Sequence, residues 1–202
     1  MVPARAIEIV VGDDPAAWAR LGFTLGASGA ARIGDVELVA AGRDGGAGLR
    51  RLAVSGMTDG TRAPDGLPIE PVLEPGPRPE APAHSNGAVR VDHVVAFTDD
   101  MDRTLAALDS AGIALRRLRE PPEAPARQAF LRLGAVILEL VETGDAAPAF
   151  WGLVVTVSDL DAAAASLGEL IGTPRDAVQP GRRIATVRRG AGLSVALALM
   201  SP

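Results

Sequence analysis

The sequence holds two histidines, His84 and His93, and no cysteine, lysine or tyrosine; all 20 of its basic residues are arginine. Without cysteine there are no disulfides, thiolate metal sites, iron–sulfur clusters or cysteine nucleophiles. Without lysine there is no Schiff-base chemistry, no pyridoxal phosphate attachment and no lysine-dependent phosphate loop. Phenolic acid catalysis is excluded as well. Carboxylates, imidazole, Ser/Thr hydroxyls, Arg or a metal ion are left to do any chemistry. A two-histidine site would have to use both His84 and His93. His84 stands beside Ser85 and Asn86 in a proline-rich stretch and reads as a solvated loop histidine. His93 stands inside the apolar run Val91 to Phe97, where a strand would fix its direction.

The elements that must position these groups are legible in the pattern. With 202 residues, the chain is long enough to bury a sizeable core without staples. The net charge is −5 and the arginines are scattered, so no nucleic-acid footprint is expected. No apolar run reaches the roughly 20 residues of a membrane span. The N-terminus lacks the apolar core of a signal peptide, and a cytoplasmic protein is expected. Abundant Ala, Gly, Pro and Arg without Lys suggest a GC-rich bacterial coding sequence. Between residues 58 and 88 lie seven prolines, which remove donors and fix φ. This stretch reads as a linker with one edge strand near 69–73, dividing an N-terminal unit (1–57) from a C-terminal domain (89–202).

The C-terminal part repeats itself, and repeats govern fold assignment. Val91-Asp92-His93-Val94-Val95 and Phe150-Trp151-Gly152-Leu153-Val154 stand at an offset of 59 residues, as do Leu138-Glu139-Leu140-Val141 and Leu197-Ala198-Leu199-Met200. Each unit opens with an apolar strand and continues with an acidic cap and a helix. Met101, Leu105 and Leu108 share one face of the first helix; Leu160, Ala164 and Leu167 share one face of the second. Asp99 or Asp100, and Ser158 or Asp159, are suitable N-caps. About three short strands follow in each unit. The N-terminus reads as a third, weaker copy. It has a strand at 7–11, a helix capped by Asp14 with Pro15 first, and later strands at 36–41 and 49–54. Aligning Asp14 on Asp100 places Ile7 where His93 stands.

A tandem βαβββ unit opening Val-Asp-His-Val-Val and closing Leu-Glu-Leu-Val-Glu resembles the vicinal oxygen chelate superfamily, which includes glyoxalases, bleomycin-resistance proteins, extradiol dioxygenases and methylmalonyl-CoA epimerase. The resemblance is strongest over 89–202. It implies an α+β fold in which two modules form a cupped mixed sheet, with the weaker N-terminal module added. It also implies that the first-strand ligand position is His93 and the last-strand one Glu139. The second module has Gly152 and Ala198 at the matching places, and neither can bind a metal; two protein ligands make a poor site. Three readings of the His93/Glu139 pair follow: an inherited, hydrogen-bonded buried pair, a divalent metal site, or a metal-free acid–base pair. Glu142 is expected on the opposite face, in solvent.

Further candidates flank the strands expected to line the cup: Arg127, Gln128 and Phe130 in the first module, Gln179, Arg182 and Arg183 in the second. A guanidinium at a rim can fork onto a carboxylate or phosphate; the same residues also suit turns and solvated edges. Strand alternation puts Trp151 opposite Gly152, toward a helix or a partner chain. The function expected is a small-molecule-binding protein, bleomycin-resistance-like or a metal-independent enzyme, with no resident cofactor and a ligand that an arginine at the rim would suit if it is anionic. The alternative is a metal-dependent lyase, isomerase or dioxygenase, so a divalent metal remains open. A lone N-terminal module has too little core of its own; either it packs on the back of the C-terminal pair, tied by the proline-rich linker, or it pairs with the same unit of a second chain, and a homodimer is expected.

Overall fold

The computed structural model describes residues 3–78, 80–145 and 147–202. Among these residues lie two mixed sheets. The N-terminal part runs β1 (Arg5–Val11), α1 (Pro15–Arg20), β2 (Ala30–Ile33), β3 (Val36–Ala40), β4 (Leu49–Ser55), a 3-10 turn at Pro64–Gly66 and β5 (Ile69–Pro71). The C-terminal part runs β6 (Ala88–Thr98), α2 (Met101–Ser110), β7 (Leu115–Arg119), β8 (Gln128–Leu133), β9 (Val136–Glu142), β10 (Ala149–Val157), α3 (Leu160–Leu167), β11 (Arg175–Asp176), β12 (Arg183–Thr186) and β13 (Ala196–Met200). No helix among the described residues is long and apolar enough to cross a membrane.

The eight-stranded sheet has the order β11-β12-β13-β10-β6-β9-β8-β7. Each repeat forms half of it: the first strand pairs parallel with its own last strand, β6 with β9 and β10 with β13. The two first strands pair antiparallel at the centre. This is the expected pair of βαβββ modules. The helices start as the caps require. Asp100 accepts from Arg103 N at 2.9 Å and Asp159 from Ala162 N at 2.9 Å, satisfying donors that have no intrahelical partner.

The five-stranded sheet, β2-β3-β1-β4-β5, follows the same plan with strands missing. Strand β1 pairs parallel with β3 and antiparallel with β4. The strand at 49–55 is therefore not a later strand of the first module. It takes the place that the opposite opening strand takes in the large sheet, and β5 pairs parallel with it. The edge strand expected near 69–73 is β5. It sits at the sheet border, where proline is tolerated.

One contiguous core joins the two sheets: Ile9, Leu38 and Leu52 of the small sheet belong to the same buried cluster as Val94, Leu138, Leu153 and Leu199 of the large one. Helices α2 and α3 contribute Met101, Leu108, Leu160 and Leu167 to it. Polar contacts hold the halves in register. Asp13, fully buried, accepts from Trp18 Nε1 at 3.3 Å and from the backbone N–H of Ser194. Arg20 and Arg43 donate to the carbonyls of Ala191 and Gly192. The apolar face of the N-terminal unit is thus covered within the chain, the first of the two arrangements expected for it.

His84 is not a solvated loop histidine. It is 7% exposed; its Nδ1 accepts from Thr24 N at 3.0 Å and its Nε2 donates to Arg32 O at 3.0 Å. Burial holds its pKa below the usual imidazole value, opposed by the bond to Arg32 O. Beside it Asn86 donates to Leu21 O at 2.7 Å. The end of the proline-rich stretch is pinned to the small sheet by these side chains.

Candidate functional site

The helix-bearing face of the eight-stranded sheet is the core. On the other face, strand alternation points His93, Gln128, Phe130 and Glu139 into a concave cleft of about 630 Å³. That volume lies in the range of small-molecule sites. The second module supplies an apolar floor of Val154, Ala198 and Met200, with Ile184 and Ala177 packed against it. The hairpin loop between β11 and β12 forms one wall, including Val178, Gln179 and Pro180.

His93 and Glu139 meet across neighbouring strands, with His93 Nε2 3.7 Å from Glu139 Oε2. This is longer than a hydrogen bond. The close partner of His93 is Asp92, whose Oδ2 lies 2.9 Å from Nδ1. Consecutive strand residues ordinarily point to opposite faces. Here the pairing of β6 with β10 slips between Val91 and His93, leaving Asp92 as the extra residue of a β-bulge. Asp92 is 6% exposed and also accepts from Thr156 Oγ1 at 3.1 Å and from Arg182 Nη1 at 2.9 Å.

The electrostatics of the two carboxylates diverge. Burial would raise the Asp92 pKa, but the hydrogen bond from His93 and the charge of Arg182 hold it well below the usual carboxylate range. Asp92 is therefore an anion that only accepts, so Nδ1 of His93 carries a proton and Nε2 is the nitrogen offered to the cup. Burial pushes the Glu139 carboxyl above its usual value, against the charges of His93 and Arg119. A carboxyl that holds its proton more readily than usual, facing an imidazole nitrogen, can take up and return a proton.

Of the other sequence candidates, Gln128, Phe130 and Gln179 line the cleft, whereas Arg127, Arg182 and Arg183 do not. Arg127 is engaged with Asp102, Glu120 and Glu142 at 2.8, 3.0 and 3.5 Å. Arg182 is committed to Asp92, to Thr156 Oγ1 at 3.2 Å and to Ser201 O at 2.8 Å. Arg183 pairs with Asp161 in the first turn of α3 at 2.7 Å. Glu142 is not simply solvated: its Oε1 accepts from Met101 N at 2.8 Å and so caps α2. Trp151 does not meet a helix. It is the extra residue of a second bulge, where Phe150 pairs with Ala96 and Gly152 with Val95. Half exposed, its ring lies 5.7 Å from that of Phe97, which shares the strand parity of His93.

The cleft residues that sequence reasoning missed are Arg117, Arg119 and Arg175, together with Asp92 behind His93. In Leu115-Arg116-Arg117-Leu118-Arg119 the charges occur at both strand parities, so alternation alone does not select the inward pair. Gln128 bridges toward this side, accepting from Arg119 at 3.4 Å and approaching Glu139 at 3.5 Å.

The metal centre of the resembled superfamily does not fit this donor set. Among the described residues no cluster of three or more His, Asp or Glu could hold an ion. At Gly152, the matching first-strand position, a Cβ would lie 2.6 Å from Ala196 O and 2.8 Å from Ala196 Cβ, so the backbone leaves no room for a side chain. Ala198, at the matching last-strand position, belongs to the apolar floor.

No family model and no curated protein matches the chain. Solved structures do. Methylmalonyl-CoA epimerase from Mycobacterium tuberculosis is similar at 23% identity, over 57% of this chain and 89% of that one, with a TM-score of 0.48. A variant of the Streptomyces coelicolor methylmalonyl-CoA epimerase, in complex with 2-nitronate-propionyl-CoA, is similar at 22% identity over 56% and 97%, with a TM-score of 0.46. A hypothetical protein from Bacillus halodurans is similar at 15% identity over 56% and 94%, with a TM-score of 0.48. The sheet built by residues 88–200 joins two βαβββ modules, each with its first strand parallel to its last, which is the architecture expected from the sequence.

Proposed function

We propose that the protein binds a small molecule in the cup of its eight-stranded sheet and that His93 and Glu139 move a proton on it without a metal ion. The observation that carries this reading is the pair itself. Two groups able to exchange a proton, 3.7 Å apart, face a cleft whose second module offers no donor to complete a metal site. Asp92 fixes which nitrogen of His93 acts. A carbon acid beside a carbonyl is the simplest substrate for such a pair. The proton passes from carbon to Nε2, the electron pair moves onto the carbonyl, and the reverse step restores the bond. An isomerase reaction is this exchange with return of the proton to the other face.

The test is deuterium uptake in heavy water, in the presence of a chelator, across a panel of carbonyl compounds with acidic C–H bonds. Uptake is expected for some members and should be lost in both His93→Ala and Glu139→Gln. Uptake that appears only when a divalent metal is added, or that survives both substitutions, overturns the reading.

A further inference from the structure

Three guanidiniums surround the cup without a carboxylate partner among the described residues. Arg117 and Arg119 come from β7 at one outer edge of the sheet and Arg175 from β11 at the other. The sheet is curved enough to bring both edges to one cleft. The arginines nearby that sequence reasoning singled out, Arg127, Arg182 and Arg183, are each paired with a carboxylate instead.

Arg119 is the most telling of the three. Its Nη2 donates to Glu123 O at 3.0 Å and its Nη1 only weakly, at 3.4 Å, to Gln128, while its Nε is buried with no partner at all. A buried donor without a partner is costly, so this guanidinium is short of acceptors within the chain. Two acids share the cleft, Asp176 and Glu139, and among the described residues neither forms an ion pair with the three guanidiniums. The remaining wall is apolar, with Phe130, Ile184 and Met200, and Val178 stands 82% exposed on the loop at its side.

We propose that the cup takes an anion with an apolar body. Its oxyanion, a carboxylate or a phosphate, lies against Arg117, Arg119 and Arg175, and its body lies along Phe130, Ile184 and Met200. This rests on the reading of the cup as a binding site, and it moves anion recognition away from Arg182 and Arg183, which are already paired. A planar guanidinium fork matches either oxyanion.

Calorimetric titration of the full chain with phenylacetate, phenyl phosphate and the neutral phenylacetamide tests it. At least one anion is expected to bind about tenfold or more tightly than the amide, the scale of a charge-assisted hydrogen bond. Which anion does so identifies the carboxylate or the phosphate as the preferred group. Arg119→Met should weaken that anion about tenfold or more and leave the amide unchanged. The double variant Arg117→Met/Arg175→Met, altered only at exposed positions, should weaken it in the same direction and flatten its salt dependence. Equal binding of the amide, unchanged affinity in both variants, or no binding of either anion overturns the proposal. Anion binding without deuterium uptake in the panel would remove the proton-transfer reading and keep this one. Uptake by neutral compounds with no anion preference would do the reverse.

Discussion

The Nδ1 of His93 lies 2.9 Å from a carboxylate oxygen of Asp92, the residue immediately before it in the same strand. Only the bulge in β6 allows this, because regular pleating would send the two side chains to opposite faces. Asp92 in turn ties Arg182 and Thr156 to the imidazole. The orientation of His93 is therefore set from behind the cup, by groups that no molecule in the cup need touch.

Removing Asp92 should be expensive. Asp92→Ala strands Arg182 in a partly buried position and deprives Nδ1 of its acceptor, and a loss of about 3 kcal/mol is expected in urea unfolding. The pH dependence has a definite sign. The folded-state pKa of Asp92 is lowered, so its stabilisation is complete above the unfolded value, about 3.9, and is lost as pH falls through the lower folded value. The difference in stability between wild type and Asp92→Asn should therefore shrink in acid. A difference that stays constant from pH 6 to pH 2 would contradict this.

Glu139 should behave in the opposite way. Its folded-state pKa is raised, so the native state binds more protons than the unfolded one, and stability falls as pH rises from the unfolded value through the folded one. Glu139→Gln, which cannot ionise, should remove that decline and unfold at higher urea than wild type at pH 7. Unfolding midpoints measured from pH 4 to pH 8 decide it; parallel curves for the two proteins would refute the assignment.

Gly152 should resist every attempt to restore the missing ligand. Its Cβ would press on the backbone of Ala196, which is held in the sheet. Gly152→Ala is expected to cost about 2 kcal/mol from overpacking. Gly152→His should cost more and gain no stoichiometric metal on dialysis against zinc or manganese. Bound metal in that variant, at wild-type stability, would overturn the steric argument.

The buried His84 gives the protein an acid-sensitive joint outside the cup. Its pKa is lowered by burial, so its neutral form is stabilising above the unfolded value of 6.5 and that contribution is lost as pH falls below it. His84→Ala leaves Thr24 N and Arg32 O without partners and should cost about 1–3 kcal/mol at pH 7.5. The gap between the two proteins should narrow at pH 5. Thermal melting at the two pH values checks both statements, and an equal gap at each would count against the titration.

The two C-terminal modules were legible in the sequence because each has its own apolar periodicity, an acidic cap and a constant offset to its copy. The pairing of His93 with Glu139 came from the superfamily resemblance, which implies one polar position in a module's first strand and one in its last. What was not legible depends on contacts that no local pattern records. Two bulges, at Asp92 and Trp151, break the alternation from which side-chain direction is inferred. The partners of Arg127, Arg182 and Arg183 lie on other strands and helices, so their removal from the cup is a property of the folded chain. His84 looked free because its acceptor and donor, Arg32 O and Thr24 N, are far away in sequence.

The small sheet keeps the inner strands of the large one. Set beside β11-β12-β13-β10-β6-β9-β8-β7, the order β2-β3-β1-β4-β5 lacks the outermost strand on one side and the two outermost on the other. A border strand is bonded along one flank only, so its loss exposes a single neighbour, whereas loss of a central strand would split the sheet. In the large sheet the rims are β7 and β11, which carry Arg117, Arg119 and Arg175. The strands that the small sheet lacks include the counterparts of those on which the large sheet carries its three cup arginines.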